Sequence, residues 1–182
     1  MSEFRMQKYR VMFDQLDHNR NDRMDFDDFS GHAHMIKKEQ GWADDHEHFT
    51  RLIEAKKKFW KELNVRVKPA EDTITFDEWK GFCDGLATEV KETGRVPDWV
   101  TRIHYLLFES LDLDGDGIIS KTEYALYLKS IGSDVDPKKI FPKLDLDGNG
   151  HISLDELEEL FSQWLISDDP KDPGNYLLAG KV

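Results

Sequence analysis

The chain has 182 residues, 37 of them acidic against 25 basic, and a formal net charge of −12. That length allows one substantial core or two small lobes packed together, and the acidic surface repels nucleic acid and anionic membrane while suiting cation binding. The lone cysteine, Cys83, excludes an intramolecular disulfide. With no signal-like apolar start at Met1-Ser2-Glu3-Phe4 and no run long enough to span a membrane, a cytoplasmic location is expected.

In chain order, acid-rich loops recur between segments with apolar residues at helical spacing, an internal repeat of helix, loop and helix. Aligning the repeats on Met24, Ile74, Ile119 and Ile152 starts the loops at Asp17, Val67, Asp112 and Asp145. Phe13, Phe108 and Phe141 stand four residues before three of the loop starts, with Leu63 in their place in the second unit. Phe29, Trp79, Tyr124 and Leu157 follow directly after the loops, and these apolar residues are expected to form core.

A twelve-residue loop that holds calcium offers about six to eight oxygens from positions 1, 3, 5, 7, 9 and 12, with glycine at position 6 for a sharp turn. In the first loop these positions are Asp17, Asn19, Asn21, the Arg23 carbonyl, Asp25 and Asp28. Asp22 replaces the glycine, and an aspartate can take positive φ at modest cost. Asp28 is shorter than the usual glutamate, which favours six-coordinate magnesium over calcium. Beyond it, Gly41 marks a helix stop, and Trp42 to Asp45 opens a long helix through about Leu63.

The second loop, Val67 to Glu78, puts valine and proline where two carboxylates belong and is expected to hold nothing. Its role is to pair with the first loop through their eighth positions, Met24 with Ile74, as Ile119 would pair with Ile152. Gly94 to Pro97 forms a second break, with Pro97 in the first turn of a helix carrying Trp99, Ile103 and Leu107.

The third loop supplies Asp112, Asp114, Asp116, the Ile118 carbonyl, Ser120 and Glu123. The fourth supplies Asp145, Asp147, Asn149, the His151 carbonyl, Ser153 and Glu156, and both match every requirement. These are EF-hand motifs. They predict an all-α chain of four helix-loop-helix units, arranged as two paired lobes in one globule. The expected division is an N-terminal pair over 1–95, a C-terminal pair over 96–166, and a tail over 167–182 packing on the core. The pairs His32/His34 and His46/His48 fall two residues apart, on different helix faces, and read as solvated.

With the loops placed, the chain resembles the invertebrate sarcoplasmic calcium-binding proteins and their relative calexcitin over essentially its full length. The resemblance rests on the wide spacing from Asp17 to Val67 against Asp112 to Asp145, the degenerate second loop, Asp28, and the tail from Ser167-Asp168-Asp169-Pro170 through Gly174-Asn175-Tyr176-Leu177-Leu178-Ala179-Gly180. It implies a compact cytoplasmic buffer of calcium and magnesium, with the tail folded into the apolar interior. Coelenterazine-dependent photoproteins and luciferin-binding proteins share the pattern of live first, third and fourth loops. The photoproteins' last-helix histidine and terminal proline are missing here, where Leu160 to Ile166 has no histidine and the last residue is Val182.

The expectation is therefore a monomeric Ca2+/Mg2+ buffer that binds three ions and is not an enzyme. The alternatives are a calcium sensor that opens to grip a protein target, and a carrier of an apolar small ligand. Five methionines against 11 phenylalanines favour a fixed core over the adaptable groove of a sensor.

Overall fold

The computed structural model describes residues 2–130 and 133–177. The elements are α1 (Glu3–Leu16), β1 (Arg23–Met24), α2 (Phe26–Gln40), α3 (Glu47–Val67), β2 (Ile74–Thr75), α4 (Phe76–Thr93), α5 (Asp98–Leu111), α6 (Lys121–Ser130), α7 (Pro137–Leu144) and α8 (Leu154–Ile166). A 3-10 turn, Pro173–Tyr176, follows. The architecture is the expected one, helical with four helix-loop-helix units.

Helix ends follow local chemistry. Asp25 with Asp28, Thr75 with Glu78, and Ser153 with Glu156 form reciprocal capping boxes at the starts of α2, α4 and α8. The ninth and twelfth loop positions thus also fix where each outgoing helix begins. Gly41 and Gly94 end α2 and α4 in the left-handed region, at the two expected breaks. Two boundaries differ from expectation. Helix α3 continues past Leu63 to Val67, and Pro97 caps α5 from outside its first turn, because its ψ of 145° is extended.

Both loop pairings are present. Strand β1 runs antiparallel to β2 with Met24 opposite Ile74. Ile119 and Ile152 each donate an N–H to the other's carbonyl at 2.9 Å.

Two large apolar cores form among the described residues, beside a smaller cluster of Ala33, Ile36, Phe49 and Leu52 between α2 and α3. One gathers Tyr9, Phe13, Met24, Phe29, Leu63, Ile74 and Trp79, and the other Phe108, Ile119, Tyr124, Phe141, Ile152 and Leu157. Each large side chain so buried is worth about 1.5–3 kcal/mol. Helix α8 belongs to both, since Leu157 and Leu160 enter the second core while Trp164 and Leu165 enter the first. The side chains of Ile103 and Leu107 lie outside the described residues.

The start of the chain is tied to its tail. Lys8, fully buried, donates to the Ser167 carbonyl at 2.8 Å and to Asn175 Oδ1 at 3.0 Å. Burial pulls its pKa down to about 8. The Tyr9 hydroxyl donates to the Leu165 carbonyl, and Arg5 pairs with Asp168 at 3.0 Å. At Gly174 a Cβ would stand 2.3 Å from the Leu160 carbonyl oxygen, so only glycine lets the tail lie against α8. Tyr176 and Leu177 pack on the second core, while Leu178 and Ala179 fall outside the described residues.

Candidate metal centres

The first, third and fourth loops are each built around two carboxylates, one at the start and one at the end. Asp17, Asp112 and Asp145 cap the C-termini of α1, α5 and α7, where the chain leaves the helix and the side chain turns back over the loop. Asp112 Oδ1 accepts from the N–H groups of Gly115 at 2.7 Å and Asp116 at 3.1 Å, and its Oδ2 from Gly117 at 2.9 Å. Asp17 does the same for Asn21 and Asp22. The turn at position 6 takes positive φ in all three, 61° at Asp22, 84° at Gly117 and 94° at Gly150.

The carboxylate at position 12 spans the ring. Glu123 accepts from Leu113 N–H at 2.7 Å with one oxygen and from Ser120 N–H at 2.8 Å with the other. Glu156 accepts from Leu146 and Ser153 N–H groups, both at 2.8 Å. Burial works to raise the Glu156 pKa, but these bonds and those from the Ser153 hydroxyl and Asp147 outweigh it and hold the group below the usual range.

Asp28, though shorter, also crosses its loop, taking Asn19 N–H at 3.0 Å and Asp25 N–H at 3.2 Å. Its balance runs the other way. Burial outweighs its two backbone bonds and raises its pKa.

Carboxylate oxygens of Asp112, Asp114 and Glu123 lie within 4.8 Å of one another, as do those of Asp145, Asp147 and Glu156. In the fourth loop Asp145 Oδ2 accepts from Gly150 N–H at 2.9 Å, but its Oδ1 is buried with no hydrogen-bond donor among the described residues. A buried anionic oxygen without a donor, facing two further carboxylates, is unfavourable unless a cation neutralises it. The all-oxygen donor set is that of a hard divalent ion. Asn21, Asp116 and Asn149 each accept from the N–H two residues on, so their side chains are held at the mouth of the ring.

The first loop brings Asp17 and Asp28, both nearly buried, into the same frame, with asparagines at positions 3 and 5 in place of acids. The second keeps the frame without the ligands. Glu78 Oε1 accepts from Ala70 N–H at 2.9 Å and Oε2 from Thr75 N–H at 2.8 Å. Val67 still belongs to α3, and Lys68 caps the helix at a φ of 51°. Arg23 of the first loop reaches Glu71 at 2.6 Å and the Thr73 hydroxyl at 3.1 Å, tying the two loops together. That bridge was not read from the sequence, where Arg23 counted only for its carbonyl.

His46 and His48 stack on Trp42, and His34 stands edge-on to Phe49. The side chain of His32 lies outside the described residues.

Four helix-loop-helix units, paired at their eighth positions and three of them lined by acids, make up an EF-hand fold. Residues 100–162 match the family EF-hand domain pair. Along its whole length the chain is similar to the sarcoplasmic calcium-binding proteins I, III and IV of Branchiostoma lanceolatum, 22% identical over 184 aligned positions that cover 100% of this chain and 99% of theirs. The fold matches that of a sarcoplasmic calcium-binding protein from amphioxus, with a TM-score of 0.76, 22% identity and 100% of both chains covered. It also matches the coelenterazine-binding protein from Renilla muelleri in its calcium-loaded apo form, with a TM-score of 0.75, 18% identity and 98% of both chains covered. The resemblance to the sarcoplasmic calcium-binding proteins read from the sequence is borne out.

Proposed function

We propose that the chain is a cytoplasmic buffer of calcium and magnesium that binds three ions, one in each of the loops 17–28, 112–123 and 145–156. The observation that carries this reading is the fourth loop's buried Asp145 Oδ1, left without a donor beside Asp147 and Glu156. In each loop the ligands are the side chains at positions 1, 3, 5, 9 and 12 and the carbonyl at position 7. Magnesium competes best at the first loop, where Asp28 is shorter than the glutamate that closes the other two and supplies a second oxygen less easily. The working units are the N-terminal pair over 1–95, the C-terminal pair over 96–166, and the tail over 167–182, in a monomer with no catalytic role. Calorimetric titration of calcium, with and without millimolar magnesium, tests it. Three sites are expected, one of them weakened most by magnesium, and a stoichiometry of two would contradict the role of the first loop.

A buffer rather than a sensor is supported by the tail, which is held by Lys8 and by the close fit of Gly174 on α8. Opening the C-terminal half would release those contacts, so calcium would have to bind the open form more tightly by at least their sum. Calcium is expected to expose little apolar surface in the full chain, and truncation before Gly174 to expose more. Fluorescence of a hydrophobic dye reads both, and a large calcium-dependent rise in the full chain would make the sensor the better reading.

One observation favours carriage of an apolar small ligand as a second activity. A cavity of about 150 Å³ lies where the two cores meet, between Met12 and Leu16 on one side and Leu111 and Leu160 on the other.

A further inference from the structure

The walls of this cavity are largely apolar, yet among the described residues three polar side chains on it lack hydrogen-bond partners. The Tyr124 hydroxyl, Trp164 Nε1 and both nitrogens of His104 are buried without a hydrogen bond. Lys56 is only 5% exposed, and its ammonium lies 4.6 Å from the centre of the Phe29 ring. Among the described residues no carboxylate stands within ion-pair distance of it, and burial is the sole influence on its titration.

The contrast with Lys8 is direct. That lysine is buried as deeply, but it has the Ser167 carbonyl and Asn175 as acceptors. Buried polar groups are ordinarily paired, so three unpaired side chains on a single cavity mark the absence of a partner. The missing partner is chiefly an acceptor. Lysine and the indole N–H can only donate, a tyrosine hydroxyl donates readily, and a neutral histidine donates from one nitrogen. Burial holds His104 neutral, with its pKa pushed down to about 4. Donors beside an ammonium that rests on a ring face, with no carboxylate within ion-pair distance among the described residues, suit an anion. Size narrows the class, because an apolar cavity of about 150 Å³ accepts a single benzene ring. His104, Phe161 and Trp164, whose rings pack on one another, give the cavity an aromatic wall that suits such a ligand.

We infer that the cavity binds a small aromatic carboxylic acid, its ring among the apolar walls and its carboxylate facing Lys56. This rests on the carrier reading and adds the ligand's chemistry to it.

The test is nuclear magnetic resonance of the full calcium-loaded chain, titrated with benzoate and separately with toluene. Benzoate is expected to shift the Trp164 Nε1–H resonance and to bind more tightly than toluene. Lys56→Met should weaken benzoate at least about tenfold, the loss of one charge-assisted bond, and leave toluene binding intact as the proof of folding. Tyr124→Phe, which keeps the ring and removes one donor, should weaken benzoate about fivefold and decides the matter if Lys56→Met does not fold. Toluene binding as tightly as benzoate, or benzoate binding unchanged in the variants, would overturn the acid while leaving apolar carriage in place. No shift with either probe would overturn both.

Discussion

The second and fourth loops finish alike and begin differently. In each, a glutamate at position 12 spans the loop, accepting with one oxygen near its start and with the other from the N–H of position 9, whose hydroxyl accepts in return from the glutamate's own N–H. At position 1 the fourth loop has Asp145, whose Oδ1 is buried without a donor, whereas the second has Val67, still inside its helix. The frame of the loop, its closing carboxylate and its eighth-position pairing, is therefore separable from the ligand set at positions 1, 3 and 5. A loop can lose the second and keep the first. The empty-handed loop is internally satisfied, and the acidic one has a charge left over for an ion.

This contrast can be broken most strongly at position 12. Glu156→Gln should weaken calcium at the fourth loop on the order of 100-fold, since ligand charge sets affinity over several decades. The matching change Glu78→Gln should leave the number of bound ions unaltered, and calcium titration of the two variants compares them directly.

The first loop lies between these extremes. Asp28→Glu lengthens the one spanning carboxylate that is short, supplying a second oxygen that calcium accepts and octahedral magnesium does not need. Its calcium-to-magnesium preference should rise about tenfold in competition titrations, a difference of roughly 1.4 kcal/mol.

The structural role of the second loop is sharpened by Thr75→Ala. Thr75 accepts from Glu78 N–H as the cap of α4, so its loss should cost about 1 kcal/mol in chemical denaturation with no change in ion stoichiometry. Arg23→Ala removes the bridge from the first loop to Glu71. Both partners are exposed, and the expected loss is only about 0.2–1 kcal/mol, reduced further by salt.

Much of this was legible in the sequence because loop chemistry is local. Position 6 needs a residue that tolerates positive φ, and position 12 needs a carboxylate, so spacing alone placed both loop pairings and the frame of all four loops. The interior of the molecule was not legible in the same way. Helical periodicity assigns lysines to solvent, yet Lys8 and Lys56 are buried, and only the tertiary fold shows that Asn175 waits for one while the other faces a cavity. Gly174 was quoted only as part of a tail motif; its reason is the approach to α8, a contact across the fold that spacing does not encode. The last residue of α3 follows from the absence of an aspartate at Val67, since α1, α5 and α7 each stop one residue before the aspartate that opens their loop.

The account's central claim is that ligands, not loop frame, decide which loops hold an ion. An anomalous difference map from crystals grown at saturating calcium tests it most directly. Three peaks are predicted, within the loops 17–28, 112–123 and 145–156, with nothing above noise within 67–78. A calcium peak coordinated by Glu71 and Glu78 would contradict the claim.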